Sequence, residues 1–227
     1  MTRPHRYVIL NNIPIVALLA VLVVFISLLS RGYTIFPDNW FPSQSAASAF
    51  MILFIVWVLC ELGNNIWSRM NSIRTNLDRG SFRVVIAASW AAIFAVFIFR
   101  SFRIGTFEGS LQYVGFVLFV AGILLREWAI YVLGKYFTVR VQVHEKSRLI
   151  THGPYSLIRH PSYTGTLLTV IGIAIAVGTW FGAFFALTLK LIAYRYRINV
   201  EEQALQETFG PEWDDYKKRT WKLIPGF

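Results

Sequence analysis

The sequence has one cysteine, Cys60, so no internal disulfide can form and no CxxC metal pattern exists. It is also poor in charge: 15% of residues are charged, against about 25% in an ordinary soluble domain. No GxGxxG element opens a strand–helix unit, which excludes a soluble Rossmann-type cofactor fold. No Ser/Gly/Pro-rich linker divides the chain, and no inverted repeat or interrupted pair of helices suggests a transporter. His5, His144 and His152 stand at no metal-ligand spacing with carboxylates or cysteine, so no metal is expected. Acidic residues are the scarcest charged class, 12 against 22 lysines and arginines, for a net charge of +10. No basic stripe is interleaved with exposed aromatics, so that excess is not the footprint of a nucleic-acid binder. Basic residues flanking membrane spans account for it instead.

Hydrocarbon is what the chain has in abundance: 56% of its 227 residues are hydrophobic and 16% aromatic. A spanning helix needs about 20 mostly apolar residues. Candidate spans are Ile13 to Ser30, Ala47 to Trp67, Val84 to Phe99 and Leu111 to Leu133, followed by two shorter runs, Gly165 to Val177 and Phe181 to Tyr194. The first is long for a signal peptide and lacks a cleavage site, so it is expected to be a retained anchor. Gly178-Thr179-Trp180 joins the last two runs as a tight hairpin. The expectation is an all-α, multi-pass integral membrane protein with five to six transmembrane helices. Residues 1–134 would hold the N-terminal spans, and residues 135–227 a cofactor-binding and catalytic region that includes the hairpin and an amphipathic tail. Lysine and arginine concentrate in the head, the Arg69 to Arg83 connector, the 135–163 interval and the tail, which places these on the cytoplasmic side.

The connector "THGPYSLIRHPSYTG", residues 151–165, is out of keeping with its oily neighbours. Residues before proline favour extended backbone, so a helix should begin at Pro161, just after His160. The first turn of that helix offers unpaired N–H groups and the positive end of a dipole, suited to a carboxylate. Tyr155, Arg159, His160 and Tyr163 surround it. Each alone reads as interfacial anchoring; their joint placement around a Pro-initiated helix favours a ligand site. Downstream, Arg197, Glu201 and Leu205 share a helix face, and Phe209-Gly210-Pro211 stops that helix. Trp213, Tyr216 and Trp221, with Lys217, Lys218, Arg219 and Lys222, read as a segment lying along an anionic membrane surface. Of the ionisable residues in the spans, Arg126-Glu127 either snorkels or functions, Lys190 snorkels, and Glu61 either lines a cavity or pairs with another helix.

Three ordered elements, Gly153-Pro154-Tyr155, Arg159-His160-Pro161-Ser162-Tyr163-Thr164-Gly165, and Arg197 with Glu201-Glu202, Leu205 and Phe209-Gly210, resemble the isoprenylcysteine carboxyl methyltransferase family over roughly residues 130–225. The resemblance implies S-adenosylmethionine as methyl donor, held by Leu149, Ile150, Tyr155, His160, Pro161, Ser162, Tyr163 and Glu201, with Gln142 as a further candidate. It implies that Arg197 binds the acceptor carboxylate and that Arg197 and Glu201 form the catalytic pair. On physical grounds a carboxylate is already a nucleophile at neutral pH, so alignment and dehydration matter more than a base. Arg197 is expected to offer the acceptor two parallel hydrogen bonds. The expected acceptor is a lipid-linked or prenylated carboxylate reached at the cytoplasmic face, with membrane lipids as the other partners and no nucleic acid. A phospholipid amine N-methyltransferase and an NADPH-dependent sterol-type reductase share a related architecture and remain alternatives. The sequence sets no oligomeric state.

Overall fold

The computed structural model describes residues 36–37, 39–70, 77–141 and 148–226. The candidate first span, Ile13 to Ser30, and Gln142 lie outside the described residues. Among the described residues every regular element is helical. These are α1 (Gln44–Met70), α2 (Ser81–Ser101), α3 (Leu111–Leu133), α4 (Pro161–Val177), α5 (Trp180–Phe209) and α6 (Pro211–Arg219), with short 3₁₀ turns at Gly134–Tyr136 and Gly153–Ser156. Among the described residues three helices are long and apolar enough to cross a membrane: Gln44–Met70, Ser81–Ser101 and Leu111–Tyr136, counting the 3₁₀ turn with α3; α4 is a shorter apolar helix.

The helix ends follow local chemistry. α4 starts at Pro161, whose missing N–H costs nothing in the first turn, and stops at Gly178, which takes φ 84°. Thr179 caps α5, its hydroxyl accepting from the Gly182 N–H at 3.1 Å. Gly210 at φ 50° ends α5, and Pro211 opens α6. The hairpin expected from the hydropathy therefore exists, but its second arm does not end near Tyr194: α5 runs unbroken for 30 residues. The polar face bearing Arg197 and Glu201 is a direct extension of the apolar arm, because nothing between Tyr194 and Phe209 breaks a helix.

α3 and α4 pack backbone to backbone. A Cβ built on Gly165 would sit 2.7 Å from the Arg126 nitrogen and 2.8 Å from the Gly122 oxygen, closer than real Cβ atoms come. Small residues at such a crossing replace the missing hydrophobic drive between helices in lipid. The apolar core gathers Phe50, Phe54 and Val58 of α1, Val96 of α2, Phe119 of α3 and Ile173 of α4. The phenylalanine-rich face of α3 is thus packing surface: Phe119 is fully buried.

The tail departs from the expected membrane docking. Trp213 and Tyr216 are 2% and 3% exposed, so α6 packs its aromatic face onto the protein. Beyond it the chain pairs with the segment ahead of α4. Trp221 N–H donates to the Leu157 carbonyl at 2.9 Å, Arg159 N–H to Trp221 at 2.8 Å and His160 N–H to Lys222 at 3.2 Å. An aromatic at 213 or 216 is equally consistent with a membrane surface and with a fold interior; only the return of the chain at Gly210-Pro211 separates the two.

Candidate active site

A cavity of about 280 Å³ lies between α1, α2, α3, α4, α5, α6 and residues 136–141 and 148–150. One end is apolar, walled by Phe54, Val58, Val85, Ile86, Trp90 and Ile93; the other is mixed, walled by Leu149, Ile150, Tyr155, Phe209, Trp213 and Tyr216. Five residues of α5, Lys190, Tyr194, Arg197, Glu201 and Leu205, run along it at helical spacing and join the two ends.

Arg197 and Glu201 do not pair directly. Tyr163 stands between them: its hydroxyl donates to Glu201 Oε2 at 2.6 Å and accepts from Arg197 Nε at 3.2 Å. Arg197 is 4% exposed and is held by Asp78 Oδ1, by the Ser81 hydroxyl at 2.7 Å and by the Val139 carbonyl at 2.8 Å. Among the described residues four of its five N–H groups are therefore engaged and one on Nη2 is left. The two parallel hydrogen bonds expected of Arg197 towards a carboxylate would require one of these partners to be displaced. Asp78 holds its place because it also accepts from the Ser81 hydroxyl, the Phe82 N–H and the Val141 N–H at 3.1–3.2 Å. Burial pushes its carboxyl up, but Arg197 and the two backbone donors hold it below the usual carboxylate range.

His160 is 5% exposed at the start of α4. Its Nε2 lies 3.2 Å from Glu202 Oε1 and its Nδ1 3.9 Å from Glu201 Oε2. Glu202 also accepts from Arg159 Nε at 3.1 Å and pairs with Lys222 Nζ at 3.2 Å. Burial alone would raise the Glu202 carboxyl, yet His160, Lys222 and Arg159 bring it down to about 2. The His160 ring stacks on Tyr163 with centroids 5.5 Å apart, and Tyr163 on Tyr194 at 4.6 Å. Tyr216 donates its hydroxyl to the Tyr155 carbonyl at 2.7 Å, tying α6 to the Gly153–Ser156 turn.

Arg126 does not snorkel. It grips Glu61 with two hydrogen bonds, Nε to Oε1 at 2.5 Å and Nη2 to Oε2 at 2.9 Å, and its Nη1 donates to the hydroxyls of Ser162 at 2.8 Å and Thr166 at 3.1 Å. The first turn of α4 therefore faces an arginine already neutralised by Glu61. Glu127 accepts from Asn64 at 2.8 Å. Lys190 does not snorkel either: it is 2% exposed, bonded to the Ser89 hydroxyl at 2.8 Å.

Of the residues singled out in the sequence, Leu149, Ile150, Tyr155, His160, Ser162, Tyr163, Arg197 and Glu201 all line the one cavity. Pro161 does not; it starts α4. Asp78, Ser81, Lys190 and the Glu61–Arg126 pair lie at the same cavity or anchor its residues, and motif reading passed over Asp78 and Ser81. An Asp three residues before Ser81 is a legible helix-start signal, but its ion pair with an arginine 119 positions later is not. Among the described residues no cluster of His, Cys, Asp and Glu is placed to hold a metal.

Residues 114–207 match the family model described as the isoprenylcysteine carboxyl methyltransferase family. This segment takes in the first and second motifs and most of the third. Over 119 residues the chain is 31% identical to a probable protein-S-isoprenylcysteine O-methyltransferase of Oryza sativa subsp. indica, covering 50% of this chain and 61% of the rice protein. It is 38% identical over 119 residues to the protein-S-isoprenylcysteine O-methyltransferase of Mus musculus, covering 51% of this chain and 41% of the mouse protein. The chain thus spans less than two thirds of the length of these relatives. A solved structure of a eukaryotic intramembrane Ras methyltransferase, isoprenylcysteine carboxyl methyltransferase, superposes with a TM-score of 0.62 at 23% identity, covering 84% of this chain and 68% of that one; the membrane-helical fold is shared.

Proposed function

We propose that the protein is an S-adenosylmethionine-dependent carboxyl methyltransferase whose acceptor is an isoprenylcysteine-like lipidated carboxylate. The observation that carries this reading is the Arg197–Tyr163–Glu201 chain on the cavity wall, with a buried cation and a partly exposed carboxylate held apart by one hydroxyl. That pair suits two ligands of opposite charge side by side. The likeness to named methyltransferases over the same residues supports it.

The residues present fit the donor. Glu201, with a side chain 32% exposed and one hydrogen bond from Tyr163, has capacity left for an ammonium group. Tyr155, Trp213 and Tyr216 with Leu149 and Ile150 give an aromatic and aliphatic wall suited to a purine. When bound, S-adenosylmethionine supplies a methyl group activated by a positively charged sulfur. The protein's part is binding, orientation and drying. Arg197, immobilised by Asp78, Ser81 and Val139, offers its remaining Nη2 hydrogen to the acceptor carboxylate, which is ionised at neutral pH and needs no base. Tyr163 keeps Arg197 and Glu201 at a set separation, and the Glu202 cluster fixes His160 beneath Tyr163. The Trp90, Val85 and Ile86 end is suited to the acceptor's hydrocarbon.

The basic residues support a cytoplasmic site. Arg69, Arg79, Arg83, Arg140 and Arg148 flank the site end of the helices, whereas Arg100 and Arg103 stand at the opposite end. With the candidate span Ile13 to Ser30, which lies outside the described residues, and with α4 and α5 read as crossings, the count is six.

The test is calorimetry of the detergent-purified protein with S-adenosylhomocysteine and with NADPH, followed by transfer of labelled methyl to N-acetyl-S-farnesylcysteine. S-adenosylhomocysteine should bind, Glu201→Gln should weaken it at least tenfold, and NADPH should not bind. Binding of NADPH alone, or transfer only to phosphatidylethanolamine, would replace this reading.

A further inference from the structure

Three lysine or arginine residues are buried among the described residues: Arg100, Lys190 and Arg197. Arg100 pairs with Glu108, and Arg197 with Asp78. For Lys190 no carboxylate lies within ion-pair distance among the described residues. Ser89 takes one of its three N–H groups at 2.8 Å, and the face of the Tyr194 ring lies 4.6 Å from Nζ. A cation withdrawn from water and left without an anion is costly, the more so on an intramembrane helix, and such residues mark ligand sites. Lys190 also lines the cavity, as do Ser89 and Tyr194 beside it. It is seven residues from Arg197 on the same helix face, about 10.5 Å along the axis.

We propose that Lys190 is a second recognition point of the acceptor cavity, one that takes an anionic oxygen, a carboxylate or a phosphate, about 10 Å from the carboxylate held by Arg197. The inference rests on the carboxyl methyltransferase reading and narrows its substrate class: the favoured acceptor is a lipidated acid carrying a second acidic group along its chain. Arg197 and Lys190 then address the two ends of such an acceptor. Ser89 orients the ammonium, and the Tyr194 ring stabilises it while the cavity is being filled.

The experiment compares methyl transfer from S-adenosylmethionine to N-acetyl-S-octylcysteine and to its analogue with a carboxylate at the chain end, using wild type, Lys190→Met and Lys190→Arg. A third arm adds inorganic phosphate to the octyl acceptor. Wild type should favour the dicarboxylate by at least tenfold in kcat/KM; Lys190→Met should abolish or invert that ratio, and Lys190→Arg should keep most of it. Lys190→Met should also melt no lower than wild type, since it removes an unpaired buried charge. Phosphate stimulation of octyl transfer that disappears in Lys190→Met would keep the anion site and assign its oxygen to a free ion. Equal use of both acceptors by wild type with no phosphate effect, or a preference that survives Lys190→Met, overturns the proposal. If wild type methylates no carboxylate, the methyltransferase reading fails by itself, and calorimetry of the dicarboxylate against wild type and Lys190→Met decides the role of Lys190 independently: equal affinity rejects it.

Discussion

Arg197→Met tests two roles of one side chain at once. The substitution keeps bulk and removes four hydrogen bonds, those to Asp78, Ser81, Val139 and Tyr163. Removing one partner of a buried ion pair costs about 3–5 kcal/mol because the other charge is stranded. Asp78 retains three donors, the Ser81 hydroxyl and the N–H groups of Phe82 and Val141, and its side chain is 15% exposed, so the lower end, about 3 kcal/mol, is expected. Adding Asp78→Asn removes the stranded charge and should return about 1–2 kcal/mol, as a neutral amide is cheaper to leave underpaired than a carboxylate. Activity should follow a different course. On the proposed function the acceptor would lose its cation in both variants, so kcat/KM for a prenylcysteine acceptor should fall at least tenfold, about 1.4 kcal/mol of transition-state binding, and should not recover in the double variant. Thermal unfolding in detergent reads the first effect, and labelled-methyl transfer the second. A double variant no more stable than Arg197→Met would refute the Asp78–Arg197 pair. Recovered activity would show that Arg197 serves only to neutralise Asp78, and lost S-adenosylhomocysteine binding would move Arg197 to the donor.

Two further outcomes follow from the same geometry. Glu202 has a folded-state carboxyl lowered from 4.5 to about 2, so its contribution to stability is complete above pH 4.5 and is lost as pH falls towards 2. Glu202→Gln should flatten the acid side of the melting curve in that window, and an unchanged slope would contradict the His160–Arg159–Lys222 cluster. Gly165→Ala forces a Cβ to 2.7 Å from the Arg126 nitrogen and should cost about 1–3 kcal/mol of stability. Gly63→Ala, with nothing within 4 Å, should leave the melting temperature unchanged or raised, and equal melting of the two variants would contradict the close α3–α4 crossing.

Hydropathy and punctuation by proline and glycine sufficed to mark the helices of the described region, because span length and helix stops are local properties. Leu111–Leu133 is bounded as the apolar run is, and Gly178 and Gly210 end their helices as glycine in left-handed or unusual backbone should. The ordered motifs were likewise enough to pick out residues that share one cavity, since Arg197, Glu201 and Leu205 lie on one face of a single helix and His160, Ser162 and Tyr163 at the start of another. Pairing across the fold was decided elsewhere. That Arg126 grips Glu61, that Asp78 occupies Arg197, and that Trp213 and Tyr216 turn inward depends on how α1, α2 and α6 pack against α3 to α5. A charged or aromatic side chain near a membrane face satisfies interface and interior equally well in one dimension. The tertiary structure alone distinguishes them, by supplying the carboxylate or hydroxyl that a buried cation requires, and for Lys190 by supplying the Ser89 hydroxyl but no carboxylate among the described residues.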